Sequence, residues 1–211
     1  MMRKTIKEAC VESLSQAIRA QSIGADQIEL CDRLDLDGTT PSYDLVESVL
    51  AALTIPVKVM VRPRGGDYIY STGEMDLIMD TIHQLKELGV EEIVFGALTE
   101  EKTLDLKCIE QVCLAALPMK VTIHKAIDEL ENPVVGIRLL KNIPGVSGVL
   151  TSGGASTAKE GAAMIRDMMG EVAGQLQVIA AGKITNLNCT KLDELLGADA
   201  YHGKLIVGAL N

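Results

Sequence analysis

Short runs rich in Val, Ile and Leu alternate with longer stretches whose apolar residues recur every three or four positions, and this alternation continues to the end of the chain. The runs 6–11, 27–31, 57–62, 92–96, 120–126, 148–152, 177–181 and 200–202 read as strands, being short, β-rich and bounded by turn residues. Their starts lie roughly 20 to 35 residues apart, about one strand–helix unit. Between them, segment 74–88 puts Met75, Ile78, Ile82, Leu85 and Leu88 on one helical face. Gly24, Gly89, Gly145 and Gly197 each follow such a stretch and precede a strand, where helix stops belong.

Eight strands alternating with helices predict a parallel sheet. Closing it into a (β/α)8 barrel, the TIM-barrel architecture, leaves no exposed edge; an open doubly wound sheet is the fallback. Only 203–211 follows the last strand, so the expected barrel has a short or missing last helix. No low-complexity linker interrupts 1–211, which predicts one domain.

Composition narrows the picture. Apolar residues make up 47 % of the chain and aromatics 2 %, so the core is built from aliphatic side chains and Met. The net charge of −9 repels phosphate backbones and disfavours nucleic acid as a partner. The basic start at residues 1–4 runs into Thr5-Ile6-Lys7-Glu8 rather than an apolar stretch, which argues against a secretory leader. No segment approaches the ~18 apolar residues of a membrane span. The five cysteines, at 10, 31, 108, 113 and 189, contain no CxxC pair. They are expected to remain thiols in a reducing cytoplasm.

Strand alternation then sorts the polar residues. Ile28 and Leu30 face the helices, so Glu29 and Cys31 face the barrel interior. Glu8 and Cys10 share a face in the first strand. In the third, Val57, Val59 and Val61 face out, while Arg62 and then Arg64 face the mouth. In the fifth, Thr122 and His124 face in, with Asp128 just beyond. Glu, Cys, Arg and His thus converge at the carboxyl ends of the strands, where barrel active sites lie. Buried groups of this kind must pair with one another or bind something. A structural ion network plugging the barrel is the competing explanation.

The stretches 7–13 (KEACVES), 24–31 (GADQIELC), 39–42 (TTPS), 59–68 (VMVRPRGGDY), 121–128 (VTIHKAID) and 150–154 (LTSGG) closely resemble the CutC family of copper homeostasis proteins, in order and over nearly the whole chain. The resemblance implies a TIM barrel, a cytoplasmic location and Cu(I) as the bound metal, with Cys10 and Cys31 at the family's proposed copper-binding positions. Lys125 stands where the family usually has Arg, and 202–205 reads His-Gly-Lys-Leu rather than the family's usual ending. Two thiolates suit Cu(I), a soft ion that prefers soft donors. Neighbouring strands ~4.8 Å apart would let one ion span both sulfurs. Arg62 or Arg64 would lower the thiol pKa, whereas Glu8 and Glu29 would raise it.

A second function class stays open, an enzyme acting on a small anionic carboxylate or phosphate substrate. Glu8, Glu29, His124 and Asp128 are its candidate acids and bases. Arg62, Arg64, Ser152, Gly153 and Lys183 are its candidate anion-binding residues, the last three on small-residue loops after the sixth and seventh strands. Cys108 and Cys113 fall on one helix as core residues, Cys189 is inert, and His83 lies on a helix's polar side. His202 divides evenly between function and structure. A missing eighth helix would expose an apolar strip that invites self-association.

Overall fold

The computed structural model describes residues 5–210; the basic start at 1–4 and Asn211 lie outside the described residues. Eight parallel strands close into a barrel in sequence order: β1 (Ile6–Val11), β2 (Gln27–Leu30), β3 (Val57–Met60), β4 (Glu92–Phe95), β5 (Lys120–Ile123), β6 (Val146–Thr151), β7 (Gln177–Ala180) and β8 (Ala200–Gly203). Among the described residues seven α-helices cover the outside: α1 (Leu14–Ser22), α2 (Tyr43–Ala52), α3 (Thr72–Glu87), α4 (Leu106–Ala116), α5 (Pro133–Leu140), α6 (Ala162–Val172) and α7 (Cys189–Leu196). The (β/α)8 class read from the pattern is the class observed. No helix among the described residues is long and apolar enough to cross a membrane.

Local sequence sets the helix starts. Ser13, Ser42, Asp105 and Asn132 each cap a helix by accepting from a backbone N–H of its first turn. Ser71 and Glu74 form a reciprocal capping box at the start of α3. The α3 stripe then buries Ile78, Ile82 and Leu85. Leu88 follows as its cap, and Gly89, at φ +80, makes the left-handed turn toward β4.

Alternation along the strands divides the molecule into two layers. Outward residues such as Ile28, Leu30, Val57, Val59, Val121 and Ile123 join the helices in one large aliphatic core. Inward residues form two smaller apolar patches, one of Cys10, Cys31, Met60 and Val94, the other of Leu150, Ile179, Ala181 and Ala200. Polar side chains fill the rest of the interior.

Three strand limits differ from the pattern by two residues or more, and several others by one. β3 ends at Met60 because the Arg62 amide donates to the Thr40 hydroxyl, 2.8 Å away, instead of to a neighbouring strand. β5 ends at Ile123 because the ring of His124 accepts from the Ala126 amide and caps the short 3-10 helix Lys125–Glu129. β6 begins earlier than expected, at Val146. After β8 the described chain forms turns and no helix, and buried Ile206 and Leu210 pack into the outer core. Part of the strip expected to be bare is therefore covered.

Candidate functional site

The deepest layer of the interior is an ion network. Glu8 on β1 lies beside Lys58 on β3 (3.1 Å) and beside His202 on β8 (Oε1 to Nδ1, 2.8 Å). Strands β1 and β3 are separated by β2, so these side chains meet only through the barrel interior. Gln27 donates to Glu8 at 2.7 Å, and Lys58 also faces Glu92 at 3.5 Å. Burial alone would raise Glu8, but Lys58 and His202 outweigh it and hold the carboxyl at about 2. Lys58, buried between Val57 and Val59, was not singled out in the sequence. The alternation that turned Arg62 inward also marks Lys58.

Above this layer sit the sulfurs. Cys10 Sγ and Cys31 Sγ are 3.9 Å apart and buried, and Cys31 Sγ lies 3.5 Å from Glu29 Oε2. Cys10 and Glu29 are partners in the β1–β2 register, so pairing of two adjacent strands brings the trio together. A hydrogen bond from Cys31 holds the Cys10 thiol well below its ordinary pKa, with His202 helping against burial. Cys31, as donor to Cys10 and fully buried, is pushed up. Burial raises Glu29, and the negative charges of Cys10 and Glu8 raise it further. Burial would lower His202, but Glu29, Cys10 and Glu8 carry it well above the usual imidazole range. These shifts favour the thiolate of Cys10 and the protonated ring of His202. Donor atoms of Cys10, Glu29 and Cys31 lie within 4.8 Å of one another, as do those of Glu8, Glu29 and His202.

Cys10, but not the fully buried Cys31, lines a cavity of about 260 Å³ at the carboxyl ends of the strands. The same cavity is also lined by Arg62, Tyr68 and His124. Arg62 is buried and donates to the carbonyls of Leu36, Gly38 and Gly66, while Tyr68 lies under its guanidinium at 4.8 Å. His124 is also buried. Burial, then the charge of Arg62, lowers it to about 3 and keeps the ring neutral.

The remaining sequence candidates stand elsewhere. Arg64 turns away to Glu74, Asp67 and the Ile69 carbonyl, bracing the loop that carries Tyr68. Asp128 touches the cavity, but both its oxygens are engaged. It accepts from the Thr151 and Ser152 hydroxyls and from the Ser152 and Gly154 amides. Ser152 and Gly153 do not line the cavity, and Gly153, at φ +70, packs against Gly161 too closely for a Cβ. Lys183 is exposed and also off the cavity wall. Lys125 and Lys204 contribute to the wall instead. Cys108 and Cys113 are buried on α4, and burial raises them to about 12 and about 11; Cys189 starts α7, and His83 is exposed beside Glu87.

Fold and site together define a TIM barrel with a buried thiol pair at its mouth and a guanidinium–imidazole pair lining the cavity there. A profile of the CutC family matches residues 5–207. The chain is 38 % identical over 197 residues to the human copper homeostasis protein cutC homolog, spanning 93 % of this chain and 72 % of that one. It is 36 % identical to the CutC family protein of Pasteurella multocida, spanning 92 % and 80 %. The crystal structure of copper homeostasis protein CutC from Streptococcus agalactiae superposes with a TM-score of 0.91 at 27 % identity, covering 96 % of this chain and all of that one. An aldolase, QR15, shares the fold alone, with a TM-score of 0.69 at 13 % identity. The chain belongs to the CutC family of copper homeostasis proteins.

Proposed function

We propose that this chain binds Cu(I) as cargo through the sulfurs of Cys10 and Cys31, and does so in a reducing, cytoplasmic setting where its thiols stay free. The observation that carries this reading is the 3.9 Å separation of the two sulfurs. Metal–sulfur bonds of ~2.3 Å each reach across that gap without moving either strand. The lowered pKa of Cys10 supports it further, because the thiolate and not the thiol is the ligand. Soft sulfur donors favour Cu(I) over hard divalent ions. Glu29 supplies a nearby oxygen, held by the same strand pairing.

Anaerobic titration with a chromophoric Cu(I) chelator tests the proposal. Cys10→Ser and Cys31→Ser are each expected to weaken binding by about a hundredfold, or about 3 kcal/mol. Wild-type affinity in both variants would remove the thiol pair as the copper site.

A further inference from the structure

Copper at the sulfurs would leave the part of the cavity wall that carries Arg62 and His124 without a task. On that wall two buried nitrogens have protons to give and nothing to receive them. Arg62 is 2 % exposed; its terminal nitrogens donate to three carbonyls, while Nε has no partner. Among the described residues no carboxylate lies within ion-pair distance of this guanidinium. His124 is 3 % exposed, and its Nδ1 accepts from the Ala126 amide at 3.1 Å. In a neutral ring the proton then sits on Nε2, and Nε2 is the second nitrogen with no partner.

We propose that this wall is a binding site for a small organic monoanion, whose carboxylate balances Arg62 and accepts hydrogen bonds from Arg62 Nε and His124 Nε2. A buried cation held only by carbonyls and a ring face is an uncompensated charge, and an anion is what compensates it. One cation and one neutral donor match a single negative charge. Exposed Asp37 and Glu129 on the same cavity would repel a second one, more than Lys125 and Lys204 would draw it in beside Asp128. The amides that barrels often give to a phosphate are already taken: Ser152 and Gly154 donate to Asp128 at 2.8 and 3.0 Å. The cavity lies just below the usual size range of ligand pockets, which suits a small ligand. Tyr68 controls entry. Its ring lies 4.7 Å from that of His124 and 4.8 Å from the Arg62 guanidinium, and no hydrogen bond fixes its hydroxyl among the described residues. This one partly exposed ring touches both donor groups, so it is placed to cover them. Neither Arg62 nor His124 is hydrogen-bonded to Cys10 or Cys31, so metal-free protein tests the site apart from copper.

The test uses metal-free wild-type protein labelled with 15N and titrated with acetate, glycolate, inorganic phosphate or chloride. The His124 ring nitrogens are followed by NMR and affinity by calorimetry. Acetate or glycolate is expected to give a saturable shift of the His124 Nε2 signal, and chloride none. His124→Phe should weaken binding about tenfold, the loss of one hydrogen bond, whereas His124→Gln, which keeps an N–H, should retain it. Tighter binding of phosphate than of either carboxylate would overturn the monoanion assignment. An unmoved His124 at saturating carboxylate, or equal affinity in His124→Phe, would overturn the site itself.

Discussion

Glu8 and His202 are partners in the β1–β8 register, and Glu8 Oε1 lies 2.8 Å from His202 Nδ1 although the residues are 194 positions apart. The seam that closes the barrel thus sets an imidazolium next to the first strand's cysteine. The same carboxylate also faces Lys58, so one buried anion ties β3 and β8 to β1.

The thiol chemistry should follow from this pairing. Iodoacetamide is expected to alkylate Cys10 before Cys31, Cys108, Cys113 or Cys189, with a pH–rate midpoint well below 9.0, because Cys31 and His202 stabilise its thiolate. His202→Gln removes the imidazolium and should move the midpoint upward. Peptide mapping of the alkylated protein gives the order, and a midpoint at or above 9.0 would show that Cys10 carries no stabilised thiolate.

Lys58→Met should destabilise the barrel by about 3–5 kcal/mol, since it leaves Glu8 buried beside one cation fewer. Adding Glu8→Gln should recover part of that loss, because the two groups are in contact and their effects do not add. The sign of the pH effect follows from Glu8, held at about 2 against 4.5 in the unfolded chain. Its contribution is complete above 4.5 and disappears as pH falls toward 2. Urea midpoints across that window should fall in the wild type and fall less in the double variant.

His124 acts in a different pH window. Its folded value of about 3 lies below 6.5, so the unfolded chain takes up a proton that the folded ring refuses. The His124 contribution to stability is therefore full above 6.5 and declines as pH drops from there toward 3. His124→Gln should flatten that part of the stability curve. An unchanged slope between pH 6.5 and 5 would mean that the ring is not held neutral.

Asp128→Ala should expose the amides that its carboxylate now fills. Each orphaned donor costs about 1–3 kcal/mol, and Ser152 and Gly154 both lose a partner. The emptied loop becomes an anion site, so sulfate should raise the melting temperature of the variant more than that of the wild type. Equal shifts in the two proteins would mean that Asp128 does not stand in for a bound anion.

The one-dimensional pattern specified the barrel, its eight strands and the sides on which Glu8, Cys10, Glu29, Cys31, Arg62 and His124 lie. Strand side chains alternate with a period of two, and one clear valine or isoleucine face assigns every residue between. Resemblance to known CutC motifs singled out Cys10 and Cys31, a pair that spacing alone does not distinguish. Tertiary structure decided which charges meet. Arg64 and Asp128 carry the same chemistry as Arg62 and Glu29, yet loops turn Arg64 to Glu74 and surround Asp128 with donors. Lys58 acquired its role only when closure put β3 across from β1. Periodicity fixes direction from a strand locally, whereas partners across a barrel and the paths of its loops depend on closure, which no local pattern encodes.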